Sequence, residues 1–150
     1  MKTASPLRSS RRKHGFSLLE VTVVIAVLLS LTTVLILGAR AWKNGSDRAG
    51  CILNMRMVQT AVRSYQNLYE YNPGSMPYAE NGTQDIGAHL FLKGYISGKM
   101  LNEMQGYATC AGGGSYSRPH PDVFPPIGEL YIKCSMSSQE DHALPDGPEW

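Results

Sequence analysis

Arg11-Arg12-Lys13-His14-Gly15-Phe16-Ser17-Leu18-Leu19-Glu20, continuing without pause into Val21 to Leu37, is the stretch on which the reading of this chain turns. A basic, acid-free head meets a glycine, and a long apolar run starts directly after it. Phe16 to Leu37 is 22 residues with a single charge, Glu20. As a helix rising about 1.5 Å per residue it spans roughly 33 Å, enough to cross a bilayer core of ~30 Å. Many of its residues are β-branched and mediocre helix formers in water. In lipid the backbone must satisfy itself, so a helix is still expected, with Ser30, Thr32 and Thr33 bonding back to carbonyls one turn earlier. A carboxylate inside such a segment costs on the order of 2.5–3.5 kcal/mol near the bilayer centre. Glu20 therefore requires compensation, and the form of that compensation bears directly on function.

Composition is uneven around this stretch. The chain has 150 residues, which suits one modest domain plus the apolar segment. Met1 to Gly15 holds five of the 14 Lys and Arg residues and no acid; the rest holds nine against 12 acidic residues. The formal charge of +2 is thus a basic leader joined to an acidic remainder, and no nucleic-acid surface is predicted from it. Five basic residues precede the apolar run, against Arg40, Lys43 and Arg48 just after it. That excess places the amino terminus in the cytoplasm, with Trp42 near the outer headgroups. Cys51, Cys110 and Cys134 permit at most one intramolecular disulfide and leave one thiol over.

Several signals fit part of this pattern. A secretory signal peptide would use Ala39-Arg40-Ala41 as its small-x-small site, and Arg11-Arg12 has the form of a twin-arginine signal. Glu20 and the length of the apolar run weigh against both. A plain signal anchor explains the length but gives Gly15 and Glu20 no role. Gly15-Phe16-Ser17-Leu18-Leu19-Glu20 resembles the leader junction of type IV prepilins and type II secretion pseudopilins, most strongly over Arg11 to Ala41. The resemblance implies cytoplasmic cleavage between Gly15 and Phe16 by a prepilin peptidase, and N-methylation of Phe16 by the same machinery. Cleavage creates an α-ammonium at Phe16, whose usual pKa near ~7.7–8.0 leaves it largely cationic at neutral pH. Glu20 of one subunit can neutralise that amine on its neighbour and so set assembly register, relieving two buried charges together. The competing account of Glu20 is a carboxylate reaching back to the cytoplasmic headgroups. Many filament subunits carry a proline later in this helix; this chain has none there.

Beyond the apolar run, Asn44-Gly45-Ser46-Asp47 predicts a bend or a helix restart. From Arg48 to Tyr71, Cys51, Met55, Val58, Val62, Tyr65 and Tyr69 form one helical stripe, flanked by Asn54, Ala61 and Leu68. Arg48, Arg56, Arg63 and Glu70 lie off it. Cys51 reads as a small packing residue. Asn72-Pro73-Gly74 predicts the end of the helix. Asp85 to Leu92 predicts a short helix stopped by Gly94, with His89 on its solvated side and Met100 and Leu101 adding to the core. Gly128 to Ser135 alternates as a half-buried strand, with Leu130, Ile132 and Cys134 on one face and Glu129, Tyr131 and Lys133 on the other. It pairs with a short strand after Gly112-Gly113-Gly114 to give an antiparallel hairpin. The glycines lack the Lys-Ser/Thr of a phosphate loop.

The Cys110-Ala111-Gly112-Gly113…Tyr116…Cys134-Ser135 arrangement, followed by His142, resembles the head of short pilin-like proteins assigned to type II secretion. A Cys110–Cys134 disulfide there would close about 25 residues and contribute roughly 3 kcal/mol in the chain-entropy model. Two free thiols, or a metal site with His120 or His142, are the alternatives. The cysteines lack the paired close spacing of zinc ligands, so no metal is assigned. Some major pseudopilins bind calcium in a C-terminal loop; Glu140, Asp141, Asp146 and Glu149 give no ligand match, so no cofactor is assigned. Ser137 to Trp150 reads as a mobile tail.

The expected fold class is α+β: a long N-terminal α-helical spine, transmembrane half plus amphipathic half, packed on a small head with a short helix and an antiparallel β-hairpin. The expected divisions are a cytoplasmic leader (1–15), a transmembrane and filament-core helix (16–41), the amphipathic second half of the spine (42–72), and a globular head with a polar tail (73–150). No serine–histidine–acid set or paired carboxylates stand out, so a structural protein is predicted, not an enzyme. The resemblance implies a type II secretion pseudopilus subunit, single-pass in the bacterial inner membrane, with its amino terminus cytoplasmic and its head periplasmic. Its implied partners are the prepilin peptidase/N-methyltransferase, other copies and minor pilin-like subunits, the inner-membrane assembly platform and membrane lipid. A type IV pilus or DNA-uptake pilin, and a membrane-anchored binding domain that never polymerises, are the alternatives.

Overall fold

The stripe of Cys51, Met55, Val58, Val62 and Tyr65 has to be covered by whatever follows it in the chain. In a computed structural model describing residues 15, 17–138 and 142–144, it lies on helix α1, Leu18–Leu68, and all five residues are buried. The expected leader and Phe16, the expected first residue after cleavage, lie outside the described residues, Gly15 excepted. The chain comprises two compact units, Met1–Arg40 and Ala41–Trp150. In the second, α1 is followed by α2 (Ile86–Leu92), α3 (Gly98–Met104), β1 (Tyr116–Ser117) and β2 (Lys133–Cys134), an α+β arrangement that fits a pilin-type fold.

The expected bend at Asn44-Gly45-Ser46-Asp47 is absent: α1 runs through it. One glycine inside a helix costs only about 0.5–1 kcal/mol relative to alanine. Lys43 and Asp47, one turn apart and 3.9 Å from each other, bracket the site. The helix also stops earlier than Asn72-Pro73-Gly74 suggests. The Tyr71 amide donates to the Gln66 carbonyl at 2.9 Å, and Glu70 takes φ +58°. That is a left-handed helix cap with glutamate where glycine is usual. The stripe fails just before it: Leu68 is 65% and Tyr69 44% exposed.

Helix α2 starts where expected. The Asp85 carboxylate accepts from the amides of Gly87 (2.8 Å) and Ala88 (3.4 Å), and Gly94 at φ +77° ends the helical segment. Its inner residues Ile86 and Leu90 are fully buried. His89 is buried as well, against the expectation of a solvated side chain. Its Nε2 lies 2.9 Å from the Thr83 carbonyl, which can only accept. Nδ1, 3.2 Å from the Tyr65 hydroxyl, is then the acceptor, and both ring nitrogens are satisfied without water. In α3, capped by Ser97, Met100 is buried and Leu101 half-buried, as expected of core contributors, and Met104, which the sequence reading did not single out, is buried as well.

The hairpin is antiparallel, with Tyr116 opposite Cys134 and Ser117 opposite Lys133. Its second strand is far shorter than Gly128 to Ser135. The reason lies on α1. Gln59, buried, donates to the Glu129 carbonyl at 3.0 Å and accepts from the Tyr131 amide at 2.9 Å. Arg63 donates to the carbonyls of Pro125 and Pro126, both at 2.7 Å. The backbone groups a longer ladder would have paired are taken by helix side chains. The alternation breaks with them: Ile132 and Cys134 face inward as expected, but Tyr131 is buried too, its hydroxyl donating to the Pro121 carbonyl at 2.8 Å. The expected mobile tail is also held in part, since His142 and Leu144 are buried.

Candidate functional site

Between Leu18 and Leu37 the large apolar side chains are 45–84% exposed. None of the most apolar window of α1 is buried, and the helix is long and apolar enough to cross a membrane. Its hydroxyls are consumed internally. Thr22 donates to the Leu19 carbonyl (2.8 Å), Ser30 to Val27 (2.7 Å), and Thr32 and Thr33 to Leu29 (2.9 Å each). The wall presented to the surroundings is therefore apolar apart from Glu20. Ser17 accepts the Glu20 amide at 3.3 Å and opens the helix. Glu20 sits in the first turn, where the helix dipole favours a negative charge, and its carboxylate is exposed. Among the described residues no cation forms an ion pair with it. A Cβ on Gly15 would meet nothing within 4 Å among the described residues.

The second constellation is buried in the 41–150 unit. Cys110 and Cys134, expected to pair, are thiols whose Sγ atoms stand 3.9 Å apart. Cys51 from α1 and His142 from the C-terminal segment complete the group: one ligand-capable atom from each of the four residues lies within 4.8 Å of all the others. All four residues are buried. Burial pushes the thiols of Cys51 and Cys134 up from their ordinary value, and the Tyr116 hydroxyl beside Cys51 likewise. His120 is exposed and takes no part. Cys51 is a core residue, as expected, but the sequence carries no sign that the fold sets it against the other two cysteines. The acidic residues weighed for calcium, Glu140, Asp141, Asp146 and Glu149, lie outside the described residues.

In comparison with known families, residues 10–36 fit the prokaryotic N-terminal methylation motif. No curated protein and no solved structure matches the chain. The match covers the basic head, Gly15, Phe16, Glu20 and most of the apolar run. This chain carries a prepilin-type leader and is type IV pilin-like over that stretch. The motif implies processing by a prepilin peptidase and assembly with other pilin-type subunits, and it indicates a structural subunit.

Proposed function

We propose that this chain is the subunit of a type II secretion pseudopilus. It is made as a precursor, anchored in the inner membrane by Phe16–Leu37 with its amino terminus cytoplasmic, cut after Gly15, methylated on Phe16 and extracted into a periplasmic filament that supports protein export. The observation that carries the reading is the exposed apolar wall of α1 with one acid, Glu20, lying within the methylation motif. A wall of this kind needs lipid before assembly and other copies after it. In the filament, Glu20 meets the Phe16 ammonium of an adjoining subunit, and each charge removes the other's desolvation cost. The Cys110…Tyr116…Cys134 arrangement favours a secretion role over a pilus role through its resemblance to secretion-associated heads.

Glu20→Ala tests the register step. Membrane insertion should persist while filament assembly falls at least tenfold; normal assembly would overturn the step. Mass spectrometry of the mature amino terminus should find N-methylated Phe16, whereas a terminus at Met1 or Trp42 overturns the processing. Deleting the gene should abolish release of an exported protein. Lost DNA uptake or surface motility with export intact would assign the chain to a pilus instead.

A further inference from the structure

Four buried donors from four separate stretches of chain converge on one point, and the filament reading uses none of them. We propose that Cys51, Cys110, Cys134 and His142 form a closed tetrahedral site for a structural zinc ion. The inference stands on the 41–150 unit and is independent of how the chain assembles.

The donor set comes first. Three thiolates and one imidazole are soft-to-borderline ligands that suit zinc and exclude calcium or magnesium, which take oxygen. The spacing agrees. A tetrahedral site with Zn–S near 2.3 Å has ligand–ligand edges of about 3.8 Å. Cys110 and Cys134 are 3.9 Å apart, and every pair in the group lies within 4.8 Å. A disulfide would need the two sulfurs at about 2.05 Å and would leave Cys51 and His142 facing it as bystanders.

The surroundings are built for such a site. Cys110 opens a tight turn: its carbonyl accepts from Gly113 at 2.9 Å, its amide donates to Gly114 at 2.8 Å, and Gly113 takes φ +86°. A Cβ on Gly112 would fall 2.6 Å from His142 Cε1, so the loop seats the imidazole only because that position is glycine. Cys134 opens a second turn, its carbonyl accepting from Ser137 at 3.2 Å. The Tyr116 hydroxyl is buried against Cys51 without completing a hydrogen bond. A neutral thiol is a weak acceptor, whereas a metal-bound thiolate is a strong one. Four protein ligands leave no open position, so the ion is structural. Binding releases the three thiol protons to solvent and ties α1, the glycine turn, β2 and the C-terminal segment together. A unit whose strands are two residues long has need of that crosslink.

The test uses the full-length chain, purified in detergent without chelator or added metal. Elemental analysis should find about one zinc per chain, and X-ray absorption a first shell of three sulfurs and one nitrogen. Cys51→Ser should lower zinc affinity at least tenfold, while His142→Cys, which keeps four ligands, should retain the metal. Chelation should lower the melting temperature of the wild type and leave Cys51→Ser unmoved. Less than a tenth of an equivalent of zinc in the wild type overturns the proposal, whether the cysteines are then alkylated as thiols or Cys110 and Cys134 are found disulfide-linked. The wild-type measurement decides even if a variant fails to fold.

Discussion

Asp85 holds two jobs with one carboxylate. It caps α2 through the Gly87 and Ala88 amides, and it pairs with Arg118 Nη1 at 2.8 and 3.0 Å. The Arg118 side chain is 12% exposed, so its charge depends on this partner. Removing a helix cap costs about 1 kcal/mol, and stripping one member from a buried pair about 3–5 kcal/mol. Asp85 is itself 23% exposed, which softens the second figure, and Asp85→Ala should destabilise by about 2–4 kcal/mol in total. Asp85→Asn keeps an N-cap oxygen and should cost less. Denaturant unfolding should show lower midpoints in that order at unchanged slope. The helix was legible in the sequence because an apolar run from Ile86 to Leu92 stopped by Gly94 is a local signal. Burial of His89 was not, because a seven-residue helix does not reveal which face is covered, and the cover comes from Tyr65 and Thr83.

Helix α1 shows where pattern reading succeeds and where it stops. Period alone locates the stripe from Cys51 to Tyr65, since burial on a helix follows geometry. It cannot show that Gln59 and Arg63, polar and beside the stripe, take the backbone of Pro125 to Tyr131 and so cut short a strand whose alternation looks sound. Gln59→Leu should therefore do more than swap a buried side chain. It strands the buried Tyr131 amide, at about 1–3 kcal/mol for a buried group left unpaired, while the carbonyl of the exposed Glu129 can turn to water. The midpoint of unfolding should fall accordingly, and the Tyr131 amide should lose protection from hydrogen exchange. Glycines on the same helix separate in the opposite sense. A Cβ on Gly45 meets nothing within 4 Å, whereas one on Gly50 lies 3.3 Å from Ala111 Cβ. Gly45→Ala should stabilise by about 0.5–1 kcal/mol, read as a rise in unfolding midpoint. Gly50→Ala should gain less, because the loop leading from Cys110 has to yield.

At the scale of the whole molecule, the basic head and the rest of the chain carry opposite charge, and the proposed cleavage would separate them. Cutting after Gly15 removes five basic residues and no acid, taking the formal charge from +2 to −3. Methylation of the new amine leaves its charge in place, so it does not offset this change. The precursor has a pI of about 8.5. The processed chain should therefore focus on the acidic side of neutrality, and cells lacking the prepilin peptidase should accumulate the basic form alone. The logic joins two steps that are otherwise independent. In the proposed topology the basic head holds the amino terminus on the cytoplasmic side while the apolar helix inserts, following the bias of flanking Lys and Arg. Once the helix must leave lipid for a bundle of its own kind, five clustered positive charges at its end would repel those of every adjoining copy, at separations where little salt can screen them. The proposed cleavage would replace that cluster with one ammonium, a number that Glu20 can match. An uncleaved Gly15 variant should thus insert normally and focus near the precursor's pI, yet fail to assemble even with Glu20 intact. Efficient assembly of that variant would show that charge matching at the helix start is not what admits a subunit to the filament.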